Sequence, residues 1–394
     1  MNDERWLLPE GIDELLPPDA WHLEGVRRRL LDVFRCWGYE LVIPPFIEYL
    51  ESLLTGTGRD LELQTFKLTD QVSGRMMGIR ADITPQAARI DAHQLRRGEP
   101  TRLCYIGTVL HTRPDGFAGS RSPLQLGAEL YGHSGVESDV EIISLMMQIL
   151  GEAGVHDVHL DLGHVGIFRG LARAAGLSAD TETELFDALQ RKAEPEIEAL
   201  VRENARTPLV APMLLALAEL SGGPEVIDEG RRKLSGAPAD VLAALDYVEA
   251  VALAVRRRFP DLPLHVDLAE LRAYHYQTGV VFAAFVPGEG GEIARGGRYD
   301  DIGREFGRAR PATGFSGDLK TLLRVAGGAS AQSGERRVYA PAVADPALDE
   351  RVAALRRDGR VVVHQLPGQQ ADARAMGCTE TLIREAGGWL LKPV

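Results

Sequence analysis

Cysteine is scarce: Cys36, Cys104 and Cys378 are the only three in 394 residues, and no two form a CxxC pair. That argues against a zinc site or a disulfide framework and fits a reducing cytoplasm, with the thiols serving as core fillers. No apolar run approaches the roughly 18 residues that a membrane span requires. The start, Met1-Asn2-Asp3-Glu4-Arg5-Trp6, is acidic and has no basic stretch leading into an apolar one, so no signal peptide is expected. Positive charge is also in deficit. A net charge of −13 offers little counterion-release affinity for a phosphate backbone and counts against a nucleic-acid partner. Common site signatures are missing as well. Gly56-Thr57-Gly58 lacks the third glycine of a dinucleotide fingerprint, and there is no GxxxxGK[ST] loop and no Gly-x-Ser-x-Gly. His, Cys and Asp do not cluster as a metal site or a triad would require, so neither a metal nor a cofactor is expected.

What is present is ordinary soluble-protein composition, 45% hydrophobic and 26% charged, in a chain long enough for two or three domains. Leu23, Val26, Leu30, Val33, Phe34 and Trp37 fall on one helical face, with Gly38 at the expected stop. Leu41-Val42-Ile43 reads as a strand ended by Pro44-Pro45. Short apolar runs between Phe66 and Tyr131 predict an antiparallel sheet, with a helix around Pro85 to Gln94. Another helix opens near Asp139, and His156 to Leu162 alternates like a strand. From about 166 to 257, Ala, Leu, Glu and Arg dominate with helical spacing, which predicts a helical insertion. Strand-like segments resume at Leu264–Leu268 and Val280–Val286, and Gly288–Glu292 reads as a turn between strands. Residues 326–334, rich in Ala, Gly and Ser, form a linker. The division is therefore 1–325, the linker, and a small α/β domain over 335–394.

Four motifs then appear in order: Ile79-Arg80-Ala81-Asp82-Ile83-Thr84; Tyr105-Ile106-Gly107 followed by Gln125-Leu126-Gly127-Ala128-Glu129-Leu130-Tyr131-Gly132; Arg272-Ala273-Tyr274-His275-Tyr276-Gln277-Thr278-Gly279; and Gly296-Gly297-Arg298-Tyr299-Asp300. Together they resemble class II histidyl-tRNA synthetases over roughly residues 5 to 325. The resemblance implies an α+β fold, an antiparallel sheet flanked by helices, and a pocket for histidine. It places Asp82 where the family holds the ligand's amino group with a Glu, and Thr84 beside it. Gln125 and Glu129 are four residues apart on one strand, hence on one face. Gln125 suits the amino or carboxylate end of the ligand, and Glu129 suits an imidazole N–H, in company with Tyr276. Arg272 suits the carboxylate through charge-assisted bonds. Asp82 and Gln277, which stands in place of a second Tyr, depart from the family pattern.

A synthetase must meet the α-phosphate of ATP with preorganised positive charge. The family draws it from an Arg-x-Glu after Tyr-Ile-Gly and from an Arg late in its third motif. Here the first loop reads Leu110-His111-Thr112-Arg113-Pro114. The third motif ends Asp318-Leu319-Lys320-Thr321, so the expected Arg falls on Thr321. Losing one such donor costs on the order of 100- to 1000-fold in rate. Together with Asp161-Leu162-Gly163-His164-Val165-Gly166-Ile167-Phe168-Arg169, these losses make the chain resemble the synthetase-like regulatory subunits of ATP phosphoribosyltransferase. That resemblance implies a non-catalytic, cytoplasmic chain that activates a short catalytic subunit and shares in histidine feedback. It further implies a homodimer core, built around Gly38 to Ile47, within a hetero-octamer. A divergent active histidyl-tRNA synthetase is the alternative.

Overall fold

The computed structural model describes residues 6–55, 59–114, 119–270, 277–327 and 336–394. Two compact units result, Met1–Gly328 and Ala329–Val394. Gly56-Thr57-Gly58, Arg272, Tyr276 and most of the linker lie outside the described residues.

The first unit begins with the amphipathic helix Asp19–Cys36, which buries Leu23, Val26, Leu30 and Phe34. Gly38 follows with φ of +80°, a left-handed position that glycine adopts without a steric penalty. The strands are β1 (Glu40–Leu41), β2 (Ile47–Tyr49), β3 (Phe66–Thr69), β4 (Met76–Ile79), β5 (Thr101–Thr108), β6 (Leu124–Tyr131), β7 (His159–His164), β8 (Ser221–Gly222), β9 (Leu264–Asp267), β10 (Val280–Phe285), β11 (Ala294–Arg298) and β12 (Ala312–Asp318). Nine of them form one sheet in the order β1-β5-β6-β12-β11-β10-β7-β9-β8, while β2, β4 and β3 form a separate small sheet. The large sheet is antiparallel except at two pairs, β1 with β5 and β7 with β9.

The sheet packs one face onto the helices Asp19–Cys36 and Val136–Glu152. Leu126, Ala128 and Leu130 of β6 join that core, so Gln125, Gly127 and Glu129 take the opposite face by alternation. Helices from Val165–Ala175 to Ala239–Arg258 share this same core through Ile167, Phe168, Leu171 and Val248. His164 starts the first of them: its Nδ1 accepts from Gly166 N at 3.0 Å. Burial pushes the His164 imidazole down to about 4, the neutral state that this cap needs.

Two sequence expectations are refined. Glu40 and Leu41 pair with β5 and Val42 N still donates to Cys104 O at 2.9 Å, but Ile43, just before Pro44-Pro45, is 83% exposed. The helix near Pro85 is α-helical over Thr84–Arg89 and continues as a wider π turn over Ile90–Leu95, where Asp91 is buried against Arg310 at 2.9 Å.

The second unit is a four-stranded sheet, β14-β13-β15-β16, from β13 (Arg337–Ala340), β14 (Val361–His364), β15 (Glu380–Glu385) and β16 (Gly388–Pro393). The helix Pro346–Arg357 covers one face, burying Val338, Ala340, Val352, Leu382 and Trp389. Asp345 serves both helix and sheet, capping the helix through Ala347 N at 3.0 Å and accepting from Trp389 Nε1 at 2.9 Å.

Candidate functional site

A cavity of about 860 Å³ opens on the polar face of the large sheet. Asp82, Thr84, Gln125 and Glu129 all line it, together with Gln277, Tyr299 and the backbone of Gly314. The Thr84–Arg89 helix brings Asp82 and Thr84 to the wall, and β6 supplies Gln125 and Glu129. Four of the six residues singled out from the sequence therefore meet at one site; Arg272 and Tyr276 lie outside the described residues.

Glu129 is 1% exposed. Tyr105 donates its hydroxyl to Oε1 at 2.9 Å, and Tyr299 donates to Oε2. With the Tyr105 proton so placed, the Thr84 hydroxyl donates to Tyr105 at 3.0 Å. Burial pushes Glu129 up to about 8, against the pull of both phenols, and the Asp82 charge adds to the rise. Room for the carboxyl group exists because Gly314 has no side chain: a Cβ there would sit 1.7 Å from Glu129 Oε2.

Gln125 is held at both ends of its carboxamide. Its Nε2 donates to Asp82 Oδ1 at 2.7 Å, and its Oε1 accepts from Ile83 N at 2.9 Å. Asp82 also accepts from Thr84 N at 3.0 Å, which fixes the turn into the helix. Gln125 thus orients Asp82. Beneath this group, Arg80 donates to the carbonyls of Thr108 and Pro44, each at 2.9 Å, and ties the small sheet's end to β5.

The cavity runs along β12 from Gly314, opposite Glu129, to Asp318, opposite Gln125, with Thr321 bonded to Asp318 at that other end; His111 and Ser120 also line it. Lys320 Nζ donates to Ser122 O at 2.8 Å and pairs with Asp13 Oδ2 at 3.1 Å. Thr321 donates its hydroxyl to Asp318 Oδ2 at 2.8 Å, and Asp318 caps the helix Leu319–Val325. Arg121 donates to the carbonyls of His111 and Glu10, both at 3.0 Å. Arg113 is exposed. Arg295 lines the cavity and pairs with Glu292 at 3.0 Å.

Sequence reasoning did not assign Tyr105, Tyr299 or Gly314 to the ligand group. Tyr105 and Tyr299 lay inside quoted motifs, but the convergence of all three on Glu129 depends on pairing between distant strands. Arg298, also within a motif, holds the fold together instead. It is buried against Asp139 at 2.9 Å and donates to Ser138 Oγ at 2.9 Å and His133 O at 3.1 Å.

A mostly antiparallel sheet with its polar cavity and flanking helices defines the histidyl-tRNA synthetase class of fold. A family model described as "Histidyl-tRNA synthetase" matches residues 11–322, and one described as "ATP phosphoribosyltransferase subunit HisZ C-terminal domain" matches residues 335–392. A protein of Thioalkalivibrio sulfidiphilus named ATP phosphoribosyltransferase regulatory subunit is 62% identical over 98% of this chain and 97% of its own length. One of the same name from Alkalilimnicola ehrlichii is 61% identical over 100% and 98%. A crystal structure from Bacillus halodurans, titled as an ATP phosphoribosyltransferase regulatory subunit/histidyl-tRNA synthetase, superposes with a TM-score of 0.82 at 25% identity, covering 96% of this chain and 97% of that one. Histidyl-tRNA synthetase from Nostoc shares the fold, with a TM-score of 0.79 at 18% identity over 98% and 94%. The chain belongs to the family of ATP phosphoribosyltransferase regulatory subunits.

Proposed function

We propose that this chain is a non-catalytic regulatory subunit in the first step of histidine biosynthesis. It switches on a short ATP phosphoribosyltransferase catalytic subunit and participates in feedback inhibition by histidine. The names of its relatives support the regulatory role. The observation that carries the rest is the contrast within one cavity. Polar groups gather at the amino-acid end, while Lys320 and Arg121, beside the other end, are engaged by the protein itself. Such an arrangement suits holding an amino acid and is poorly equipped to meet a reacting phosphate. The proposed ligand residues are Asp82, Thr84, Gln125 and Glu129, joined by Arg272 and Tyr276 on the sequence reading. No helix among the described residues is long and apolar enough to cross a membrane.

Feedback requires histidine to bind one conformation of the complex better than another, since equal affinity would shift nothing. The proposed assembly is a homodimer of this chain within a hetero-octamer that holds four catalytic subunits. The test is phosphoribosyl-ATP formation by the short catalytic subunit, with and without this chain, across histidine concentrations. The expected outcome is activation by the chain and inhibition that grows with histidine. Robust histidine-dependent pyrophosphate–ATP exchange by the purified chain would instead support an active synthetase and overturn the proposal.

A further inference from the structure

Beside the Asp318 end of the cavity, three donors that belong to the body of the fold meet on one carboxylate that does not. Ser120 Oγ and Ser122 Oγ each donate to Asp13 Oδ1 at 3.0 Å, and Lys320 Nζ reaches Oδ2 at 3.1 Å. The donors are fixed. Ser122 is 7% exposed, Lys320 Nζ is also held by Ser122 O at 2.8 Å, and Ser120 Oγ accepts from Ser122 N at 3.1 Å. Ser120 lines the cavity as well. The Asp13 side chain, by contrast, keeps 48% of its surface in solvent.

Asp13 arrives on a strap that has little else to hold it. Within residues 6–18, Ile12 alone is even partly buried, and Trp6, Leu7, Leu8 and Leu16 leave apolar surface in solvent. Apolar burial is what ordinarily fixes a segment, so this one depends on polar contacts. Besides the bonds to Asp13, Arg121 N donates to Gly11 O at 2.7 Å and Arg121 Nη1 to Glu10 O at 3.0 Å. Gly11, with φ of +72°, lies flat on the Arg121 side chain, where a Cβ would come within 3.0 Å of Cδ.

A lysine and two hydroxyls that converge on one point form an oxyanion site, and here a tethered carboxylate fills it. We propose that Ser120, Ser122 and Lys320 form an anion site for a phosphate group at this end of the cavity, and that Asp13 is its built-in plug. A phosphate group carries more charge and more acceptor oxygens than a carboxylate, so it suits the same donors better. The plug prevails because it is tethered: a linked group competes at an effective concentration of about millimolar. Asp318, close by, is already engaged by Leu124 N, Lys320 N and the Thr321 hydroxyl. The inference does not depend on the histidine reading.

Calorimetry with pyrophosphate on the full chain tests this. The unmodified protein is compared with Asp13→Ala, Asp13→Asn, Glu14→Gln and the double variant Asp13→Ala/Lys320→Ala, with thermal unfolding as the control for folding. A site open only part of the time shows an affinity reduced by that fraction, so Asp13→Ala should bind pyrophosphate about tenfold more tightly. Asp13→Asn, which can still bond the serines, should also gain. Glu14→Gln removes an equal charge from an exposed neighbour on the same strap and should change binding less than about twofold. The double variant should return to the level of the unmodified chain. No gain in either Asp13 variant overturns the plug. A gain that Glu14→Gln matches, or that survives the loss of Lys320, overturns the site, because the anion is then responding to net charge or binding elsewhere.

Discussion

The two ends of the cavity are walled by the same strands, β6 and β12, yet spend their polar groups in opposite ways. At the end proposed to hold the amino acid, Asp82 is bonded to Gln125 and Thr84, and Tyr105 links Thr84 to Glu129, which Tyr299 also reaches, so the network stays at the cavity wall. At the far end, Lys320 reaches Asp13 and Ser122, and Arg121 reaches Glu10 and His111. Cations used as ties between segments are not available to stabilise charge that develops on a ligand. On the proposed function, the difference separates binding from activation within one fold: polar groups are preorganised at one end, while at the other the cations serve as structural fastenings.

The largest way to break the comparison is to fill the floor of the amino-acid end. Gly314→Ala places a methyl group 1.7 Å from Glu129 Oε2, closer than any nonbonded contact. Either β12 shifts or the carboxyl group leaves its phenols. The expected cost is about 1–3 kcal/mol of stability, or more if Glu129 is left unpaired, with loss of histidine binding. Chemical denaturation and calorimetry measure the two effects. A stable Gly314→Ala chain with unchanged histidine affinity would show that Glu129 is not held as described.

A finer test uses pH. Glu129 is pushed up to about 8 in the folded chain by burial, above the 4.5 of an ordinary Glu. The folded state therefore binds the proton more tightly than the unfolded state does. The stability contribution is fully present below pH 4.5, falls as pH rises, and is lost above about 8. The slope from one such group cannot exceed about 1.4 kcal/mol per pH unit. Glu129→Gln should remove this component, leaving a flatter stability curve between those limits. An unchanged slope in that variant would mean that Glu129 ionises normally despite its burial.

Much of this was legible in the sequence. The α+β class, the helical stretch and the motif order follow from periodicity, turn residues and resemblance, because those signals are local. Asp82, Thr84, Gln125 and Glu129 stood out because they fall within contiguous motifs. The hydroxyl partners of Glu129 were hidden for a physical reason: Tyr105 and Tyr299 reach it from β5 and from just past β11, and spacing along the chain carries no record of that register. Gln125 likewise seemed suited to the ligand, yet its carboxamide is committed to Asp82 and Ile83 N, a division of labour that only the fold creates.

The smallest predicted effect comes from the far end, and it sharpens the contrast. Lys320→Ala removes the ties to Asp13 and Ser122. Asp13 is nearly half exposed, and its carboxyl is nonetheless held below the usual range: burial pushes it up, but hydrogen bonds from Lys320, Ser120 and Ser122 together outweigh that. An ion pair this open to solvent is worth about 0–1 kcal/mol, so the loss in stability should be small and should shrink further at high salt. Histidine affinity should not change, because Lys320 serves the fastening of the N-terminal segment rather than the ligand. Calorimetry on Lys320→Ala decides the matter. A tenfold fall in histidine affinity would place Lys320 in the ligand network, and the two ends of the cavity would then have to be treated as one site.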